Sequence, residues 1–311
     1  MIKTVFIVGP TASGKTSLSI EIAKKFGGEI ISADSMQIYK GIHIASAAPD
    51  EEEKCGIPHH LVEFLNLDDN FSVADYVKLA REKILEINSR GKLPVIVGGT
   101  GLYINSLLDN IEYTEQETDY ELREKLEEKF DLLGGEEMLK ELASFDKTAA
   151  DNLHPNNRRR IIRAFEVYLT TGKTITEQNV ISKQNKGDFE ALVLGINYKD
   201  RELLYQRINR RVDIMMENGL LEEAQNNLNY TSKNGGFQAI GHKELHGYFK
   251  GECSLQEAKE NLKMQTRRYA KRQNTWFKRD ERINWLYPDE DNDIINKAEI
   301  LVKEFLKEEN R

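Results

Sequence analysis

The sequence predicts an α/β fold, a parallel sheet built around a phosphate-binding loop and interrupted by a helical insertion. Three observations predict it. Gly9-Pro10-Thr11-Ala12-Ser13-Gly14-Lys15-Thr16 stands between a β-branched apolar run at 4–8 and a helical pattern at 17–26. Strand and helix patterns then alternate to about residue 112, which implies parallel strands with helices on both faces. Beyond 113 the pattern is almost wholly helical, and a strand pattern returns only at 191–196.

Taken in order, the loop makes the core P-loop NTPase-like. A short strand is expected at 29–32, after the stop signal Gly27-Gly28. An amphipathic helix is expected at 73–88, ending at Gly91, and a buried strand at 94–97 running into Gly98-Gly99-Thr100-Gly101. The stretch 113–189 reads as a helical insertion domain, rich in Glu, Lys and Leu, with breaks at Gly134-Gly135 and His154-Pro155 and a polar loop at 182–188. The expected division is therefore a catalytic core of 1–112 with 190–311, and an insertion of 113–189. After Asp200 the chain is helical to 277, with a loop at 231–236, and a strand at 283–287 and a helix at 291–307 close it.

Composition excludes several classes. Of 311 residues, 39% are hydrophobic and 31% charged, which fits a globular protein and not a disordered one. No run approaches the roughly 20 apolar residues of a membrane span. With a glycine loop already at residue 9, no cleaved leader is expected, and two cysteines make no disulfide framework. A cytoplasmic monomer is the expectation. The net charge of −8 taken alone argues against a nucleic-acid partner. Residues 112–141, however, hold twelve acids against four bases, so the rest of the chain is neutral, and within it positive charge is clumped. Arg158, Arg159, Arg160 and Arg163 form one cluster; Arg267, Arg268, Lys271, Arg272, Lys278 and Arg279 form another.

The loop's glycines let the backbone wrap an anion, its amides and the helix N-terminus face that anion, Lys15 adds a positive charge, and the Thr16 hydroxyl suits Mg²⁺. The strand at 94–97 ends in glycines with no carboxylate, which argues against a motor or switch NTPase. The nearest acid after the second strand is Asp34, on the ligand side of an open α/β sheet, able to take a proton or hold a metal-bound water. Cys55-x3-His59-His60 and His242-x3-His246 have spacings zinc could use, but without a second pair they read as polar-network residues. Trp276-Phe277 could stack on bases or anchor a basic helix in the core.

Gly9–Thr16, Ala33-Asp34-Ser35-Met36-Gln37-Ile38-Tyr39, Gly56-Ile57-Pro58-His59-His60, Gly98-Gly99-Thr100-Gly101-Leu102-Tyr103 and Lys271-Arg272-Gln273-x-x-Trp276 occur in that order. Together they resemble the tRNA dimethylallyltransferases, which modify adenine 37 beside the anticodon. The resemblance implies a donor, dimethylallyl diphosphate, whose diphosphate is held by Gly9, Pro10, Thr11, Ala12, Ser13, Gly14, Lys15 and Thr16, with Mg²⁺ at Thr16. It implies Asp34 as the base for N6, Thr100 beside the reaction channel, and Ser35, Met36 and Gln37 on the flipped nucleotide. Arg207 and Arg211 could clamp diphosphate or serve as ion-pair partners. The anticodon stem-loop of tRNA would meet Arg123, Asn157, Arg158, Arg159, Arg160, Ile161, Lys271, Arg272 and Gln273, with Arg123 alternatively a solvated helix arginine. Two departures stand out: Ala48 replaces the usual lysine after the Asp34 motif, and His242 stands where an aromatic residue is common. The competing readings are a small-molecule P-loop kinase, a prenyltransferase of free adenine nucleotides, and a non-catalytic RNA-binding protein with a relic loop; the first two leave the basic clusters unexplained.

Overall fold

A computed structural model describes residues 1–111, 113, 119–182, 189–228 and 235–307. Most of the loops expected at 182–188 and 231–236 lies outside the described residues, as does part of the acidic stretch near 115. The chain divides into two compact units, one of Met1–Leu108 with Asp188–Arg311 and one of Asp109–Gly187.

The first unit is built on a six-stranded sheet: β1 (Ile2–Val8), β2 (Gly28–Ser32), β3 (His59–His60), β4 (Leu93–Gly98), β5 (Phe189–Ile196) and β6 (Ile283–Leu286), in the order β3-β2-β4-β1-β5-β6. Every pairing is parallel, with Val5 opposite Val95 on one side and Leu192 on the other. β1 is central and reads as an unbroken apolar run because helices cover both of its faces. Val5 and Ile7 pack with Leu18 and Ile22 of the helix Lys15–Phe26 and with Val302 and Phe305 of the helix Ile294–Lys307. Phe6 points the opposite way, as strand alternation requires, and is also fully buried. Burying each such side chain contributes roughly 1.5–3 kcal/mol. The helix Val73–Ser89 starts at a reciprocal capping box between Ser72 and Asp75. Its Tyr76 stacks on Tyr103 of the helix Gly101–Leu108, ring centroids 4.0 Å apart.

The two-residue β3 is the one strand absent from the sequence reading, and it is too short to show a period. Its His60 Nε2 lies 2.7 Å from the Glu29 carboxylate, which also pairs with Arg90 at 2.7 Å. The stretch expected to be helical from 201 resolves into Arg201–Glu217, Leu220–Asn226, short turns around Lys243–Leu245 and His246–Phe249, and Leu255–Phe277. Ala270 of the last helix packs on Leu204 and Ile208 of Arg201–Glu217.

The second unit is helical: Tyr120–Ala143, Lys147–Asp151, Arg158–Thr171 and Ile175–Ser182. Its core is formed by Leu126, Met138, Leu142, Ile161, Ile162 and Phe165. The break expected at Gly134-Gly135 is a kink within Tyr120–Ala143, where Gly134 takes a φ of 77°. That is a left-handed conformation, which glycine alone adopts freely.

Candidate active site

The phosphate loop leaves β1 at Val8. Gly9 has φ 144° and its Cα lies against the Ile196 carbonyl, so a Cβ there has no room. Gly14, at φ 107°, turns the chain into the helix Lys15–Phe26, whose free amides then face the loop. Lys15 Nζ donates to the Pro10 carbonyl at 2.7 Å. Burial, reinforced by the Arg211 guanidinium and opposed by the Asp34 carboxylate, lowers its pKa from 10.5 to about 8. Burial likewise lowers Arg211, again against the pull of Asp34. Two cations are thus crowded beside one carboxylate, an arrangement that favours a bound anion.

The sign of the Lys15 shift makes a prediction. Its folded value lies below the unfolded one, so the buried charge costs stability at low pH and the cost is relieved as pH rises from about 8 toward 10.5. Affinity for inorganic diphosphate should accordingly fall as pH passes about 8. The non-titrating Lys15→Arg is the reference: the affinity ratio of wild type to variant should drop by up to about tenfold per pH unit above that point. Parallel calorimetric profiles for the two proteins would contradict it.

Opposite the loop, the ends of β2 and β4 touch. Ala33 donates its N–H to the Val97 carbonyl at 2.7 Å, and Thr100 donates to the Ala33 carbonyl at 3.1 Å. This contact requires a bare Cα at Gly98, because a Cβ would run into the Ala33 backbone. Thr100 Oγ1 accepts the Ser35 N–H at 2.9 Å, and Asp34 Oδ1 accepts the Met36 N–H at 2.9 Å. Ser32 donates to Gln37 Oε1 at 2.8 Å, and Gln37 Nε2 donates to the Ala47 carbonyl at 3.0 Å. The 34–37 turn is therefore held by side-chain bonds of Asp34 and Gln37 and by Ser32 and Thr100 beside it.

Between these walls lies a cavity of about 330 Å³. Thr11, Lys15, Thr16, Asp34, Ser35, Met36, Gln37, Arg211, Arg272 and Gln273 line it, all from the first unit. Also on its lining, and not singled out from the sequence, are the apolar Val212, Met215, Ile240 and Leu262, with Tyr269 and Lys243. Burial pushes the Tyr269 phenol above its ordinary value, and the nearby Asp34 adds to this, so it stays protonated. Helical periodicity alone could not separate these apolar residues from ordinary core positions.

Other residues from the sequence reading fall elsewhere. Arg207 donates from Nε to the Ala12 carbonyl at 2.9 Å and stacks over Tyr198, so it braces the loop from outside the cavity lining. Lys271 is exposed, whereas Gln273 is buried. Arg123, Asn157, Arg158, Arg159, Arg160 and Ile161 belong to the second unit. There Arg123 pairs with Glu127 at 3.7 Å and with the buried Glu166 at 3.5 Å. Arg158 pairs with Asp131 and lies over Phe130, and Ile161 is fully buried in the unit's core. Arg159 and Arg160 are exposed and have no ion pair among the described residues. The zinc-like spacings resolve as hydrogen-bonded histidines: His60 on Glu29, and His242 Nε2 at 2.9 Å from Glu223. Among the described residues no three His, Cys, Asp or Glu side chains converge on a metal position.

A family model described as IPP transferase matches residues 37–280. The chain belongs to the IPP transferase family. A tRNA dimethylallyltransferase of Thermoanaerobacter sp. (strain X514) is 48% identical over 292 residues, 93% of each chain. That of Bacillus subtilis (strain 168) is 48% identical over 282 residues, 90% of this chain and 89% of the other. Among solved structures, a Staphylococcus epidermidis tRNA isopentenylpyrophosphate transferase is 42% identical with a TM-score of 0.70, covering 98% of this chain and 99% of that one. A eukaryotic dimethylallyltransferase described as acting on tRNA is 30% identical with a TM-score of 0.85, covering 100% of this chain and 81% of that one. The protein is thus an enzyme, a transferase, as its motifs led us to expect. No helix among the described residues is long and apolar enough to cross a membrane.

Proposed function

We propose that the protein transfers the dimethylallyl group of dimethylallyl diphosphate to N6 of adenosine 37 in tRNA, releasing diphosphate, and that it acts as a cytoplasmic monomer. One observation carries the reading: one cavity is lined together by cations (Lys15, Arg211, Lys243, Arg272), an apolar set (Val212, Met215, Ile240, Leu262) and a carboxylate, Asp34. An allylic diphosphate suits such a lining, charged at one end and apolar at the other. N6 attacks the allylic carbon, the C–O bond breaks, the electron pair leaves with diphosphate, and the N6 proton passes to Asp34. Lys15, Arg211 and the loop amides face the charge that grows on the leaving group, where their effect is larger in the transition state than in the ground state.

Thr16 suits a Mg²⁺ ion. Its hydroxyl is an oxygen donor on the cavity lining, and such an ion would take its remaining ligands from diphosphate and water. When bound there, Mg²⁺ would neutralise charge on the leaving diphosphate.

The tRNA reading draws support from a local conflict in the second unit. The helix Arg158–Thr171 opens with Arg158, Arg159 and Arg160 and has no acid in its first turn, while Asn157 makes no side-chain cap bond. Cations at a helix N-terminus oppose its dipole, a cost of about 0.3–1 kcal/mol each, which an RNA phosphate would offset. Replacing Arg159, Arg160 and Lys271 by Ala should weaken tRNA binding and flatten the dependence of log affinity on log salt by about two to three units. Filter binding across a salt series checks this, and an unchanged slope would mean that these cations are solvated faces. Acceptor class is tested by offering labelled donor with unmodified tRNA or with free adenine nucleotides. Label should enter tRNA alone; label in the nucleotides would favour the free-nucleotide reading.

A further inference from the structure

We propose that Gln273 is a positioning residue that fixes the gap between the diphosphate loop and the acceptor-side turn, rather than a contact to tRNA. The inference rests on the prenyl-transfer reading above. Gln273 lies near the end of the helix Leu255–Phe277 and is 5% exposed. Its Oε1 accepts the N–H of Thr11, inside the phosphate loop, at 2.8 Å. Its Nε2 donates to the carbonyl of Gly99 at 3.0 Å, one residue before Thr100. A Cβ on Gly99 would run into this same amide nitrogen, so the turn has no side chain where the glutamine sits. Tyr269, one helical turn earlier, lines the same cavity as Gln273.

The two loops come from the ends of neighbouring parallel strands, β1 and β4; one gives Thr11, Lys15 and Thr16 to the cavity lining, and the other follows Val97 and Gly98 on that lining and holds the Ser35 N–H through Thr100. A primary amide offers an acceptor and a donor at one end, and here each is spent on one loop. Asn is a methylene too short to reach both, Met offers neither bond, and a carboxylate cannot donate to the Gly99 carbonyl. With its oxygen bonded to one loop, an N–H bonded to the other and the side chain 5% exposed, the amide is held between the loops rather than presented at the surface. Transfer needs the allylic carbon and N6 within about 3–3.5 Å, and an error of about 1 Å can cost on the order of 10²-fold in rate. A spacer between the two loops therefore acts on rate more than on the affinity of either substrate.

The test is single-turnover transfer by Gln273→Met and Gln273→Glu, with tRNA and donor affinities measured beside it. Gln273→Met should lose about 10²-fold in rate while its tRNA Kd, salt slope and donor Kd stay within about threefold. Gln273→Glu carries a distinct signature. Protonated, its carboxyl reproduces the amide, with C=O accepting from Thr11 and O–H donating to Gly99; ionised, it does not. Its rate relative to wild type should thus recover by up to about tenfold per pH unit as pH falls toward 5.5. Asp34, Lys15, His59, Arg211, Lys243, Tyr269 and Arg272 face the same cavity and are present in both proteins, so the ratio reports the group at position 273. If the Met variant fails to fold, the Glu variant at low pH keeps the test, since it is then isosteric with wild type. A pH-independent ratio overturns the proposal, as does a loss of tRNA affinity with a reduced salt slope. A wild type that prenylates no tRNA would instead sink the reading on which the proposal rests.

Discussion

Asp34→Asn should bind tRNA and dimethylallyl diphosphate as the unaltered protein does, yet transfer the prenyl group about 10²-fold more slowly or worse, the scale of a lost general base. The substitution is isosteric. The Asp34 oxygen that accepts the Met36 N–H at 2.9 Å has a counterpart in the Asn carbonyl, so the 34–37 turn should keep its shape. What disappears is the negative charge and the proton acceptor on the cavity lining. Single-turnover rates check the point, because they exclude product release. Transfer within about threefold of wild type would remove Asp34 from the role of base.

Lys15→Ala should lose about 10²–10³-fold in turnover, as removal of a group aimed at developing charge does elsewhere. Thr16→Ala should reduce the rate in the same direction. Filter-binding affinity for tRNA should not move in either variant, because these side chains line the cavity and no RNA-facing cation is altered. Full turnover by both variants would make the loop vestigial. Wild-type ATPase activity should stay at background, since β4 ends in glycine with no acidic residue following it; robust hydrolysis without tRNA would favour the kinase reading.

How much was legible depends on sequence distance. The loop could be read because its eight residues are contiguous and its strand and helix flank it directly. Asp34 could be read because it lies two residues beyond β2, where ligands of such sheets collect. The helical stretch announced itself through its change of period. The bonds that assemble the site could not be read: Gln273 meets Thr11 across 262 residues and Gly99 across 174. The apolar lining was missed because Val212, Met215 and Leu262 follow ordinary helical spacing. The arginine cluster was legible as charge but not as partners. Arg158 proves tied to Asp131, while Arg159 and Arg160 remain exposed, a distinction set by which face of one helix each occupies.

The central claim, that this cavity carries an allylic group to the N6 of a tRNA adenosine, is tested most directly by nucleoside analysis. Unmodified tRNA is incubated with the protein, Mg²⁺ and labelled dimethylallyl diphosphate, then digested and separated. The account predicts that the label appears in N6-dimethylallyladenosine, and that a tRNA with guanosine at position 37 stays unlabelled. Recovery of all adenosine unmodified, or of label at any other nucleoside, would contradict it.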